Sequence, residues 1–300
     1  MELNGLFTAI VTPFKSDASL DKDALRKMIE FQVSNNVAGI VPCTVTGESA
    51  TLSYNEHDWV IELTVKYVNK RTLVLASTGS NCTQEAIRLS RHAQKAGSDA
   101  VVLVNPYLNV PTQKGLYLHF KSIADKIDIP CILFNLKAQT NVNLETVTLL
   151  QLADECPNII GICEAGANLD QAKEILSKKM PNLKLLAGKD DQAIDVIRIG
   201  GHGLISVAAN IIPDKILQMI RAAFDERYND AEKIRDNLSD LFKILQLQPD
   251  PVPVKTILSH MKLCEDSFRL PICSFEDEKF DAQILEIIKN LKLDILHGKH

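Results

Sequence analysis

The sequence predicts an α/β fold, a (β/α)8 (TIM) barrel followed by a C-terminal helical extension, and three observations carry that prediction. Short β-branched runs alternate with amphipathic helical stretches eight times, the pattern of parallel strands joined by crossover helices. The alternation stops after Phe224, and only helical patterns follow. The chain has 300 residues, enough for one closed barrel of about 250 residues with an addition. A doubly wound open sheet is the competing architecture, and eight even units favour closure.

The first unit pairs a strand-like run, Phe7-Thr8-Ala9-Ile10-Val11-Thr12, with residues 21–33, where Leu25, Met28, Ile29, Phe31 and Val33 recur at helical spacing. Strands over 38–41, 72–76, 100–104 and 131–134 precede helices over 55–68, 83–96, 114–126 and 144–153. Strands over 159–162, 184–187 and 203–207 precede helices over 169–177, 191–199 and 215–224. The remaining helices are expected over 228–247, 253–261 and 281–291, with a proline-rigid turn at 248–253 between the first two. The division expected is a barrel over 1–226 and a helical extension over 227–300.

Composition narrows the function classes. A net charge of −5 gives no electrostatic reason to expect nucleic acid or an anionic membrane as partner. No apolar run approaches the roughly 20 residues of a membrane helix, and the N-terminus lacks the basic start and apolar core of a signal peptide. A cytoplasmic protein is expected. Seven scattered cysteines without a C-x-x-C pair suggest neither a disulfide framework nor a zinc site. No cofactor is implied.

The stretch Ile159-Ile160-Gly161-Ile162-Cys163-Glu164-Ala165-Gly166 is a buried strand ending in a polar pair and a glycine. Residues 158–169 resemble the sixth barrel strand of the dihydrodipicolinate synthase and N-acetylneuraminate lyase family. Thr46-Gly47-Glu48-Ser49-Ala50-Thr51-Leu52 resembles that family's signature loop after the second strand. Asn105-Pro106-Tyr107 with Pro111-Thr112-Gln113 resembles the loop after the fourth. Gly115-Leu116-Tyr117 with His119-Phe120 resembles the following helix, Gly200-Gly201-His202-Gly203 with Ile205-Ser206-Val207-Ala208 the eighth strand, and residues 249–255 the extension's N-P-x-P-x-K run. In this order and spacing the matches point to the dihydrodipicolinate synthase branch.

The resemblance implies pyruvate aldolase chemistry, in which a lysine amine forms an imine that serves as electron sink. Cys163 stands at that lysine's position. A thiol adds reversibly to a ketone, but its adduct does not acidify the methyl group. Two readings stand: a catalytic thiolate, which needs a low-pKa, partly exposed site, and an inert cysteine filling the lysine's space. Phe134 and Leu108 correspond to the two tyrosines of the family's proton relay, the second of which comes from a neighbouring subunit. Val45 corresponds to the relay's threonine, and Gln139 to the arginine that holds the second substrate's carboxylate. Each replacement keeps bulk and removes the group that moves a proton or binds charge.

Thr46 and Ile205 match the residues that hold pyruvate, and read equally as a turn threonine and a core isoleucine. Lys189, just past the seventh strand, is either a relocated imine-forming lysine or a solvated loop lysine paired with Asp190 or Asp191. Lys137 reads in the same two ways. Ser49, Ala50, His57, Asn81, Glu85 and Tyr107 match the cleft between subunits where lysine inhibits bacterial and plant relatives, with Tyr54 replacing a histidine. A carboxylate, an amide and a phenol suit an amino acid's polar groups, and ordinary interface packing is the alternative. The expected function is a catalytically impaired family member that binds a small keto or amino acid or an active paralogue. The other reading is a working lyase that uses Lys189 or different chemistry. A homo-oligomer, dimer or tetramer, is implied by the resemblance.

Overall fold

In the computed structural model, which describes residues 1–166, 169–275, 277–291 and 293, eight parallel strands close in sequence order, the last pairing with the first. They are β1 (Gly5–Ala9), β2 (Gly39–Val41), β3 (Leu73–Ser77), β4 (Ala100–Val104), β5 (Cys131–Asn135), β6 (Ile159–Glu164), β7 (Lys184–Ala187) and β8 (Gly203–Ser206). The helices around and after them are α1 (Lys22–Ser34), α2 (Tyr54–Val68), α3 (Thr83–Ala96), α4 (Gln113–Ala124), α5 (Lys137–Thr140), α6 (Thr146–Glu155) and α7 (Asp170–Ser177). They continue with α8 (Ala193–Arg198), α9 (Pro213–Phe224), α10 (Tyr228–Asn237), α11 (Ser239–Ile244), α12 (Val252–His260) and α13 (Glu278–Asn290). Residues 167 and 168, within the 158–169 motif, and the tail 294–300 of the expected extension lie outside the described residues.

The two-residue period of each strand sorts side chains into two cores. Phe7, Ala9, Val41, Leu75, Ala100, Val102, Ile132, Cys163, Leu186 and Ile205 fill the barrel lumen, closed below by Leu3. The alternate residues, such as Val101, Leu103, Ile162, Leu185 and Leu204, pack under the helices. Both faces of the strands are therefore mostly apolar, which is why they read as apolar runs, with Thr8 inside β1 and Ser77, Asn135, Glu164 and Ser206 at the strand ends as polar exceptions.

Helix entries follow local capping chemistry. The Asp21 carboxylate accepts from the N–H groups of Asp23 and Ala24 at the start of α1, Ser53 and Glu56 form a capping box on α2, and Thr112 accepts from Gly115 N–H on α4.

Several boundaries differ from the sequence reading. β1 ends at Ala9 rather than at 12, because Val11 N–H leaves the ladder for Asn210 Oδ1 at 3.2 Å and the Thr12 hydroxyl donates to the Gly47 carbonyl at 2.7 Å. β6 runs on to Glu164, so Cys163 belongs to the strand. The helix expected from 191 starts at Ala193 after a 3-10 turn, Asp190–Gln192. The single helix expected over 228–247 is two, α10 and α11, meeting at the buried Leu238.

α10 packs on α9, and α11 and α12 reach the turns that follow β7 and β8. Lys255 on α12 donates to Glu48 Oε1 at 2.7 Å, in the loop after β2, with both side chains 0% exposed. Arg269 clasps Glu56 through two N–H donors, at 2.6 and 2.9 Å. These charged contacts hold the 249–250 turn over the C-terminal end of the barrel, the face where the loops of such barrels build sites. Among the described residues no helix is long and apolar enough to cross a membrane.

Candidate functional site at the barrel mouth

A cavity of about 350 Å³ opens at the C-terminal ends of the strands, lined among others by Ala9, Thr46, Phe134, Gln139, Lys189, Ile205 and Asp250. Six candidate residues, only Val45 and Thr46 of them adjacent in sequence, therefore meet there: Val45, Thr46, Phe134, Gln139, Lys189 and Ile205. Cys163 lies beneath, its register partners being Phe134 on β5 and Leu186 on β7. Its side chain is 0% exposed and Sγ faces the Ala187 carbonyl at 3.5 Å. Burial, reinforced by the neighbouring Glu164 carboxylate, pushes the Cys163 thiol well above its ordinary range. Such a group stays a neutral thiol at pH 7, the state of an inert core cysteine and not of a nucleophile. The space above it is tight: a Cβ on Gly188 would stand 2.7 Å from Ala165 Cβ and 3.1 Å from Cys163 Sγ.

The polar wall comes from β7, β8 and the extension. Asp190 accepts from the Ser206 hydroxyl and from the N–H groups of Val207 and Ala208, both at 3.2 Å. The Thr46 hydroxyl donates to Asp250 Oδ2 at 2.6 Å. Burial raises both carboxyls to about 6, since a charge moved away from water is disfavoured. Lys189 lines the same cavity with an extended backbone. The pairing with Asp190 or Asp191 that one of the two readings of Lys189 called for is not made: Asp190 is turned to Ser206, and among the described residues no carboxylate lies in salt-bridge reach of Lys189. Lys137 is exposed on α5.

Of the relay positions, Val45 is 38% exposed and lies with Phe134 on the boundary between this cavity and a second one. Leu108 is 87% exposed with φ of +73°, a left-handed backbone that is uncommon for leucine. It projects away from the lumen. Gln139 is carried by α5, a four-residue helix too short to leave a periodic trace in sequence.

The second cavity, about 250 Å³, takes Ser49, Ala50 and Tyr107 into its wall. Glu85 joins from beside it, accepting from the Ser80 hydroxyl and meeting the Tyr54 phenol, whose pKa it raises. Burial and the nearby Glu85 charge raise the Tyr107 pKa, so the Tyr54, Ser80, Glu85 and Tyr107 side chains lie in one polar cluster, with Asn81 next to Ser80 in the chain. His57 is set behind it, buried, with Nε2 donating to the Ser77 carbonyl at 3.0 Å and Nδ1 unpartnered. Burial drives its pKa down to about 4, so it is neutral.

Sequence reasoning missed Glu164 and Asp250. Glu164 accepts from Asn135 at 2.9 Å and from Gly166 N–H at 2.9 Å, closing a polar network behind the strand ends. Its only signal was a charge at the end of an apolar run. Asp250 was visible only as the residue between two prolines. No group of three or more His, Cys, Asp or Glu is arranged to hold a metal among the described residues.

A model of the dihydrodipicolinate synthetase family matches residues 2–291. The 4-hydroxy-tetrahydrodipicolinate synthase of Endomicrobium trichonymphae is 46% identical over 274 residues, covering 91% of this chain and 94% of that protein. The crystal structure of dihydrodipicolinate synthase from Aquifex aeolicus superposes with a TM-score of 0.95 at 38% identity, covering 98% of this chain and all of that one. The enzyme from Cyanidioschyzon merolae, solved with lysine bound, gives 0.93 at 31% identity over 97% of this chain and 98% of that one.

Proposed function

The chain belongs to the dihydrodipicolinate synthetase family, and from that premise we propose that it keeps the barrel-mouth cavity as a binding site for a small keto or amino acid. It does so without imine chemistry at position 163. One observation carries this reading: the side chain at the position matched to the imine-forming lysine is Cys163, an enclosed thiol that remains protonated. A neutral thiol supplies no electron sink for carbon–carbon bond formation. The hydrocarbon groups of Val45, Phe134 and Leu108 add to it, since none can carry a proton to or from a reacting carbonyl.

A second reading is favoured by two other observations. The relatives are named synthases, and Lys189 lines the cavity without an ion pair. A lysine so placed is the candidate for a relocated imine, and on this reading the protein is a working lyase of lysine biosynthesis. The relatives' names weigh for the enzyme, and the side chains around Cys163 weigh for the binding protein.

The polar cluster of Glu85, Asn81 and Tyr107 beside Ser49 and Ala50 supports an effector cleft for an amino acid, as does the lysine bound to the Cyanidioschyzon enzyme. A cytoplasmic homo-oligomer, with an active paralogue as a further partner, completes the proposal. Borohydride reduction in the presence of pyruvate decides between the two readings. The binding reading expects an unchanged intact mass and no synthase turnover with pyruvate and aspartate semialdehyde. A pyruvate adduct mapped to Lys189 overturns it and establishes the lyase.

A further inference from the structure

The extension crosses the barrel mouth by a segment that little else holds down. Leu245, Gln246, Gln248, Pro249 and Asp250, between α11 and α12, line the cavity. The backbone hydrogen bonds of this segment stay within the extension: Leu247 N–H donates to the Ile244 carbonyl at 3.1 Å, and Val252 N–H to the Pro249 carbonyl at 2.8 Å. Among the described residues its one hydrogen bond to the barrel runs from the Thr46 hydroxyl to Asp250 Oδ2, at 2.6 Å.

No counter-charge meets Asp250. Asp190, in the turn after β7, and Glu48, in the loop after β2, both press a like charge on it, and Asp191 lines the same cavity. Lys255 and Arg269 are committed to Glu48 and Glu56, and Lys189 reaches no carboxylate among the described residues. Asp250 Oδ1 is buried without a hydrogen-bond partner. A carboxyl enclosed in this way favours its proton, and exposure to water removes the preference. Burial holds it up at about 6, with the Thr46 hydroxyl pulling the other way. In the run that residues 249–255 resemble, asparagine stands at this place, a neutral side chain of the same shape.

We propose that the 245–251 segment is an acid-closed strap: with Asp250 protonated it lies fast across the mouth, and ionisation of Asp250 lets it lift into water. The closed strap binds the proton more tightly than the open one, so closure is favoured in acid and is lost as pH rises through about 6. With the open carboxyl near its ordinary value of about 4, the opening equilibrium should grow about tenfold from about pH 5 to about pH 8. The strap governs access to the cavity whichever ligand or reaction the cavity serves. Its far end stays anchored, because the Lys255–Glu48 and Arg269–Glu56 pairs do not depend on Asp250.

Hydrogen exchange on the full chain, followed by mass spectrometry across this pH range and corrected for intrinsic rates, reads the opening through the Leu247 and Val252 amides. The amides of β4 serve as reference for global unfolding. In the wild type, protection over 245–256 should fall about tenfold from about pH 5 to about pH 8 while that of β4 holds. Asp250→Asn should keep its protection within about twofold over the same range, since the titrating group is gone. Thr46→Val removes the donor that favours the carboxylate and should move the midpoint of the transition upward in pH. Wild-type protection that does not change with pH overturns the proposal, as does an Asp250→Asn protein that keeps the wild-type slope. A midpoint that stays in place or falls in Thr46→Val also overturns it, and that readout stands by itself if Asp250→Asn does not fold.

Discussion

Removing the Lys255 charge should loosen the clasp that holds the extension on the barrel. Lys255 Nζ lies 2.7 Å from Glu48 Oε1 and 2.5 Å from the Ser267 carbonyl, over the rings of Phe14 at 4.5 Å and Phe268 at 4.8 Å. Both members of the pair are shut off from water, and burial lowers the Lys255 pKa while Glu48 opposes that shift. Lys255→Met keeps the length of the side chain and leaves the Glu48 carboxylate enclosed, with Arg269 N–H at 3.3 Å as its remaining contact from the extension. Breaking one side of a buried pair costs about 3–5 kcal/mol. A chain of this length unfolds with an entropy of roughly 0.6 kcal/mol/K, so a loss of about 4 kcal/mol lowers Tm by about 6 °C. Glu48→Gln added to Lys255→Met removes the stranded charge and should recover most of the loss, to within about 1–2 kcal/mol of wild type. Thermal and urea unfolding of the four proteins completes the cycle. A single variant within about 1 kcal/mol of wild type, together with a double variant no better than the single, would refute the electrostatic account. The clasp would then be apolar packing alone.

Two further outcomes follow from the sites. Cys163→Lys alone should not restore useful synthase turnover, since the added amine has no hydroxyl at Val45, Phe134 or Leu108 through which to move protons. Adding Val45→Thr, Phe134→Tyr and Leu108→Tyr should raise the rate by about a hundredfold to ten-thousandfold over that single variant, and a single variant as fast as an ordinary family member would sink the relay argument. Lysine at a hundredfold excess over its Kd should add about 2.7 kcal/mol of stability, read as a melting shift of about 4 °C that is lost in Glu85→Ala. No shift with any amino acid at millimolar concentration would reduce the cleft to interface packing.

The barrel was legible because its signals are local. A strand buried on both faces must be apolar throughout, as at Ala100–Val104, which was read to the residue. An amphipathic helix repeats its apolar face every turn, as over Thr83–Ala96. Identity at a single position was also a sequence matter: a cysteine at 163 cannot form an imine in any fold. What surrounds that cysteine is different in kind. Whether its thiol is exposed or sealed depends on Phe134, Leu186 and Gly188, which only barrel closure brings around it. α5 went unseen because four residues hold barely one helical turn. For Lys189 the sequence leaves two readings open, an imine-forming lysine and a loop lysine paired with Asp190 or Asp191, and the structure turns Asp190 away to Ser206 on the neighbouring strand. The largest gap concerns Asp250. It stands 204 residues from Thr46 along the chain, and their hydrogen bond exists because Lys255 and Arg269 hold the extension across the mouth. Propensity and periodicity act over a few residues. The charge of the pocket was decided by contacts between segments that share no local signal, and only the closed tertiary structure brings those together.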